Sequence, residues 1–348
     1  MIKANYKKYN LNFKNPSGTS RGILRTKETW FIILEEGGKK GFGETGLFRG
    51  LSIDDVSNYE EKLSSICQKI HLGLDFLLKE CREFPSIQFG LEQAFLSLKS
   101  ETPFKLFPSQ FTKGEKSIPI NGLVWMGEKE FMKKQIKEKL KTGFSCIKMK
   151  IGAIDFVAEI ELLKSIRKEF SSNEIELRVD ANGAFNPKNA LEKLQRLAAL
   201  EIHSIEQPIK QGQVEEMAEL CSKTPLPIAL DEELIGVFSS EEKQQLLETI
   251  KPQYIILKPS LIGGFAGSAE WIKFAEKNKS DWWITSALES NIGLNAIAQF
   301  TYTLQSNLPQ GLGTGGLFTN NIKSPLEVEK GTLQYNPAVN WDFNLTKF

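Results

Sequence analysis

Histidine is nearly missing from this chain: His71 and His203 are the only two in 348 residues. A histidine-rich zinc centre is therefore excluded as the basis of any activity, and both residues read as ordinary surface or packed histidines. Cysteine is sparse too. Cys67, Cys81, Cys146 and Cys221 lie far apart, with no CxxC spacing, which predicts reduced thiols in a cytoplasmic protein rather than a disulfide framework. Neither sign of charge is in excess: 44 Lys and Arg are balanced by 43 Asp and Glu, mixed along the chain. Nothing in that balance points to nucleic acid as a partner. No apolar run approaches the ~18 residues a spanning helix needs, so no membrane partner is expected. The opening MIKANYKKYNLNF alternates and lacks the apolar stretch of a signal peptide.

What is present is a repeat. From about residue 117 a short β-branched run is followed by an amphipathic stretch, again and again. The runs are SIPINGLVW (117–125), SCIKMKI (145–151), EIELRVD (174–180), IHSIE (202–206), PIALD (227–231), QYIILK (253–258) and DWWITS (281–286), with a weaker eighth, LPQGLG (308–313). Between them apolar residues recur at three and four positions, and Asp155 and Asn186-Pro187 are helix-start signals. Eight such units over ~200 residues favour a closed barrel over an open doubly wound sheet. The expected class is α/β. Residues 114–318 form the barrel, 1–113 an α+β capping (lid) domain, and 319–348 an irregular return segment packing on that lid. Two Gly-rich loops, NPSGTSRG (15–22) and GETGLFRG (43–50), are candidate lid loops, and their Arg21 and Phe48 are candidate substrate contacts.

Polar residues end the apolar runs at near-constant intervals. Lys150, Asp180, Glu206, Asp231 and Lys258 are separated by 30, 26, 25 and 27 residues, about what a strand, a return helix and two loops require. A parallel array brings them to one end of one sheet, where barrel enzymes keep their chemistry. Lys148 and Lys150 share one face of their strand with Cys146, which turns Ile147, Met149 and Ile151 towards the covering helices. Singly, each carboxylate could be a helix cap, Asp231 most readily. Together, Asp180, Glu206 and Asp231 repel one another without a cation, and oxygen-only ligation favours Mg²⁺. Asn182 faces the same way as Asp180 and could hold a carboxylate or the substrate. Burial beside a cation disfavours ammonium, so the lysines are expected to have lowered pKa values and to serve as bases.

The set KMK (148–150), VDAN (179–182), IEQP (205–208), LDEE (230–233) and ILKPS (256–260) resembles the enolase superfamily, in its muconate lactonizing subgroup. LKPSLIGG (257–264), ITSALESNIGL (284–294) and GTGGLFTNN (313–321) resemble its o-succinylbenzoate synthase branch, which serves menaquinone biosynthesis. The resemblance implies a modified barrel of (β/α)7β type. A lysine base paired with magnesium is a general feature of the superfamily, not a deduction from this chain. Carried onto matching positions, it implies Asp180, Glu206 and Asp231 as Mg²⁺ ligands and Lys150 as the residue that takes the proton alpha to a small-molecule carboxylate. Lys258 would stabilise the enediolate from the opposite face, and Lys148 would assist Lys150. Ser260 and Ser286 would contact substrate; Lys148 and Asn182 are further candidate substrate contacts. The implied reaction is dehydration of 2-succinyl-6-hydroxy-2,4-cyclohexadiene-1-carboxylate to o-succinylbenzoate.

One departure stands out. The subgroup has Asp-Glu-Ser where this chain has Asp231-Glu232-Glu233, which makes Glu232 the rival to Asp231 as third ligand. Rival functions are an N-succinylamino acid racemase or dipeptide epimerase, which use the same two lysines, and a non-catalytic barrel that binds a ligand. Epimerases carry an acid in the strand-eight loop; GLGTGGLF (311–318) has none. The GxGxxG within it lacks the following helix that a dinucleotide fingerprint needs. Trp282 and Trp283 read as packing.

Overall fold

The computed structural model describes residues 1–19, 22–125, 128–152 and 154–343. The first unit is an antiparallel sheet of β1 (Lys3–Thr19), β2 (Gly22–Glu36) and β3 (Lys39–Gly46), in that order. Alternation in TWFIILEE is overridden here because the sheet is covered on both sides, and Trp30 to Leu34 are all buried. Helices α1 (Tyr59–Gln68), α2 (Leu74–Glu80) and α3 (Pro85–Lys99) follow. The glycines of the GFGE stretch in β3 explain how closely α3 lies: a Cβ on Gly43 would sit 1.9 Å from the carbonyl oxygen of Gly90. Only glycine permits that approach.

Then comes the βα repeat. β4 (Ile118–Pro119) and β5 (Gly122–Val124) divide the first expected strand. The remainder alternates: α4 (Lys129–Lys141), β6 (Cys146–Lys150), α5 (Phe156–Glu169), β7 (Glu176–Asp180), α6 (Pro187–Ala198), β8 (Ser204–Glu206) and α7 (Val214–Lys223). It continues with β9 (Ile228–Leu230), α8 (Ser240–Ile250), β10 (Tyr254–Leu257), α9 (Pro259–Ile262), α10 (Gly264–Lys277), β11 (Asp281–Ile284) and α11 (Asn291–Thr303). Asp155 and Asn186 act as the expected N-caps, each side chain accepting from backbone N–H groups of the first turn.

Strands β5 to β11 form one parallel seven-stranded sheet in chain order. The eighth stave is reduced to parallel bridges, Gln310 to Ile120 and Thr285 to Gly311, which join the two edges. This is the (β/α)7β barrel with a separate N-terminal strand unit. Ile147, Met149 and Ile151 join the large apolar cluster between strands and helices, with Leu162 and Leu163 of α5. Burying each such side chain contributes roughly 1.5–3 kcal/mol, and this fixes the register that turns Lys148 and Lys150 inward.

Two expectations need correction. The return segment is not wholly irregular: β12 (Leu326–Glu329) and β13 (Thr332–Tyr335) form a hairpin, and β13 pairs with β4. The strand β4 offers an open edge there, and edges attract partners. The first Gly-rich stretch is largely strand, with Ser17, Gly18 and Thr19 paired to Leu24, Ile23 and Gly22. Arg21 lies outside the described residues. Beyond the hairpin, the Phe343 ring packs 5.4 Å from Phe31 and 4.9 Å from Phe42 of the first unit.

Candidate active site

Parallel pairing sets Lys150 beside Asp180 and Asp180 beside Glu206. These three are the last residues of β6, β7 and β8, and Asp231 and Lys258 come directly after β9 and β10. All five therefore share the C-terminal rim. Asp180, Glu206 and Asp231 are buried, at 0, 2 and 2 % exposure. Lys148 Nζ donates to Glu206 and lies 3.0 Å from Asp180 Oδ2. Lys150 Nζ donates to Asp180 Oδ2 at 2.9 Å and to Asn182 Oδ1 at 2.7 Å. From across the barrel, Lys258 Nζ donates to Asp231 and stands 4.0 Å from Glu206 Oε1.

The electrostatics correct one expectation. Burial alone would lower Lys148 and Lys258, but the carboxylates in contact outweigh it and hold both ammoniums above the ordinary lysine range. Burial likewise pushes Asp180 and Asp231 up, and the neighbouring lysines overcome it and bring both below the carboxylate range. Glu206 goes the other way, raised by burial and then by the charge of Asp180.

Among the described residues no three acidic or imidazole groups stand close enough to form a ready cation cage; the ammoniums of Lys148 and Lys258 lie between the carboxylates. The donor chemistry nevertheless fits a hard divalent cation. All three groups offer oxygen, and Glu206 Oε1 is buried without any hydrogen bond, a costly state for a carboxylate lacking a cation.

Asn182 and Gln207 follow these carboxylates in the left-handed region, at φ 43° and 39°. Asn182 accepts from Lys150 and donates to Glu232 Oε1 at 3.0 Å. Glu232 thus faces Asn182, whereas Asp231 meets Lys258. Glu233, the departure from the subgroup pattern, turns away from the lysines. Its Oε2 accepts from Gln207 Nε2 at 3.0 Å and its Oε1 from the Gly212 backbone at 2.9 Å.

A cavity of about 730 Å³ opens above this cluster, lined by Lys148, Lys150, Asp180, Asn182 and Lys258. Its outer wall is largely apolar: Phe48 and Leu51 from the first unit, Leu123, Trp125, Leu288 and Leu317 from the barrel. Ser286 lines it, with its hydroxyl 2.5 Å from that of Thr314. Ser260 is placed elsewhere: it is buried, is not part of the cavity wall, and donates to Glu289 Oε1 at 2.5 Å. Leu51, Trp125 and Leu317 escaped sequence reasoning because loop apolar residues carry no period. The GLGTGGLF segment (311–318) lines the cavity and contains only a short turn, Gly315–Leu317. His71 is exposed, and His203 packs against Tyr254 with its Nδ1 3.9 Å from Glu176 Oε1. The four cysteines are unpaired and buried, and Trp283 is packed under Arg178.

Comparison with known proteins agrees with this architecture. Residues 131–338 match the family described as Enolase C-terminal domain-like. The chain is 47 % identical to an o-succinylbenzoate synthase of Desulfotalea psychrophila, over 95 % of this chain and 98 % of that protein. The crystal structure of MenC from that organism superposes with a TM-score of 0.86, at 44 % identity, covering 96 % of this chain and 99 % of that one. A dipeptide epimerase from Enterococcus faecalis, solved with Mg and the dipeptide L-Leu-L-Tyr, shares the fold at 21 % identity. Its TM-score is 0.84, with 97 % of this chain and 98 % of that one covered.

Proposed function

This chain belongs to the enolase superfamily, and from that membership we propose that it is a lyase forming o-succinylbenzoate from 2-succinyl-6-hydroxy-2,4-cyclohexadiene-1-carboxylate. The observation that carries the reading is the near full-length similarity to an o-succinylbenzoate synthase, joined to lysines on opposite sides of a buried carboxylate cluster.

Asp180, Glu206 and Asp231 would hold Mg²⁺, whose charge offsets the second negative charge that appears when the α-proton leaves. Lys150 Nζ takes that proton, with Asn182 Oδ1 and Asp180 Oδ2 fixing its direction. The same Nζ then returns a proton to the departing hydroxyl, so that water leaves and the ring becomes aromatic. Lys258 stays protonated on the other side, in keeping with its contact to Asp231, and faces the enediolate as a cation. Lys148 holds Asp180 and Glu206 in place.

Racemisation of an N-acylamino acid is the second reading, because the same opposed lysines could serve it. Against a dipeptide substrate, the strand-eight segment on the cavity wall offers no carboxylate to receive an ammonium.

A spectrophotometric assay with the cyclohexadiene carboxylate, with and without EDTA, tests the reading. Loss of substrate absorbance that EDTA stops is expected; no loss in the presence of Mg²⁺ sinks the synthase assignment. Lys150→Ala should abolish turnover while Mg²⁺ binding, followed by calorimetry, persists. Activity within tenfold of native would remove Lys150 from the role of base.

A further inference from the structure

Lys27 of β2 lies where the first unit meets the barrel. It is 6 % exposed, and its ammonium has no hydrogen-bond partner among the described residues. Two buried carboxylates share its surroundings. Glu44 of β3 is saturated: it accepts from Thr29 Oγ1 at 2.9 Å, Ser290 N at 2.8 Å, Ser290 Oγ at 2.5 Å and Gly293 N at 2.8 Å. Those backbone donors open α11, whose N-terminal dipole adds further compensation. Glu289 has much less. Only its Oε1 is engaged, by Ser260 Oγ at 2.5 Å, and its Oε2 is buried without a partner. Space is reserved for the arrangement: a Cβ on Gly46 would come 3.3 Å from Lys27 Nζ, and one on Gly293 would crowd both Glu289 and Glu44.

Glu44 is satisfied by four donors, which leaves Glu289 as the carboxylate that Lys27 can compensate: burial raises Glu289 and lowers Lys27, and the charge of each is the foremost influence opposing the other's shift. Removing one partner of a buried pair leaves the other charge uncompensated, which costs more than the pair is worth. The consequence reaches the active site. Glu289 holds Ser260, two residues after Lys258, and it follows directly on Leu288 of the cavity wall.

We infer that Lys27 is a positioning residue: from the first unit, it neutralises Glu289 in the domain interface and so fixes the loop that carries Lys258. The inference rests on the functional reading above only for the role of Lys258.

The test is a double-mutant cycle of Lys27→Met, Glu289→Gln and both together, with Tm, kcat and KM read for each. Each single variant should lower Tm, and in the folded protein should lower kcat by about tenfold while KM stays within about twofold. The double variant should regain most of both Tm and kcat. If Lys27→Met does not fold but the double variant folds and turns over, the inference stands. Native kcat in folded single variants would reduce Lys27 to a structural role, and a double variant no better than the singles overturns the coupling. A native protein inert towards the cyclohexadiene carboxylate would refute the functional reading instead, and the Tm cycle would still test the Lys27–Glu289 coupling.

Discussion

At the residue scale, the active-site rim is a small set of side chains whose partners decide their roles. Asn182 is the pivot: its amide oxygen accepts from Lys150, its nitrogen donates to Glu232, and its φ of 43° suits asparagine better than most residues. Asn182→Ala should lower kcat at least tenfold by freeing Lys150, while Asn182→Asp keeps an acceptor and retains more activity. Equal losses in steady-state kinetics would remove Asn182 from the positioning of Lys150. Glu233 makes a different prediction. Restoring the serine usual in the subgroup leaves the Gly212 N–H and the Gln207 amide without their carboxylate. Glu233→Ser should therefore cost about 1–3 kcal/mol in chemical denaturation, with kcat near native; unchanged stability would refute the structural role. That the candidate ligands and the lysines sit at strand ends was legible because strand ends recur at a fixed interval. The direction of the lysine shifts was not, because it depends on which carboxylate touches which ammonium.

At the scale of elements, the first unit grips the barrel with two buried glutamates, each accepting from the start of a helix. Glu44 serves α11, and Glu92 of α3 serves α10, accepting from Phe265 N and, at 3.0 Å, from Ala266 N. Burial pushes Glu92 up to about 7 in spite of those donors. Between the ordinary glutamate range and about pH 7, the folded chain keeps a proton that the unfolded chain releases. Stability from this group therefore falls as pH rises through that window. The Tm advantage of the native protein over Glu92→Gln should be larger near pH 5 than near pH 7; a constant difference by calorimetry would sink the assignment. None of this was readable beforehand. Helix starts such as Asp155 and Asn186 advertise themselves locally, whereas Glu44 and Glu92 cap helices more than 170 residues away. The β12–β13 hairpin was missed for the same reason: its partner is β4, far upstream.

At the scale of the whole molecule, the three candidate ligands come from consecutive staves, β7, β8 and the end of β9, so a cation there would tie together chain segments some 50 residues apart. Barrel class followed from the repeat alone, but the ammoniums of Lys148 and Lys258 between the carboxylates did not. The buried, unbonded Oε1 of Glu206 is the part of the fold that stands to gain most from a cation. Binding to the folded state alone stabilises by about 2.7 kcal/mol at a hundredfold excess over Kd. In a chain of this size that raises Tm by a few degrees, at roughly 1–2 °C per kcal/mol. Mg²⁺ should therefore raise Tm in a concentration-dependent way that EDTA reverses, and Glu206→Gln should weaken the effect strongly. Asp231→Asn should weaken it more than Glu232→Gln, since Asp231 faces Lys258 across the cluster while Glu232 is engaged with Asn182. The reverse order would move the third ligand to Glu232, and a Tm indifferent to Mg²⁺ in the native protein would remove the cation from this rim altogether.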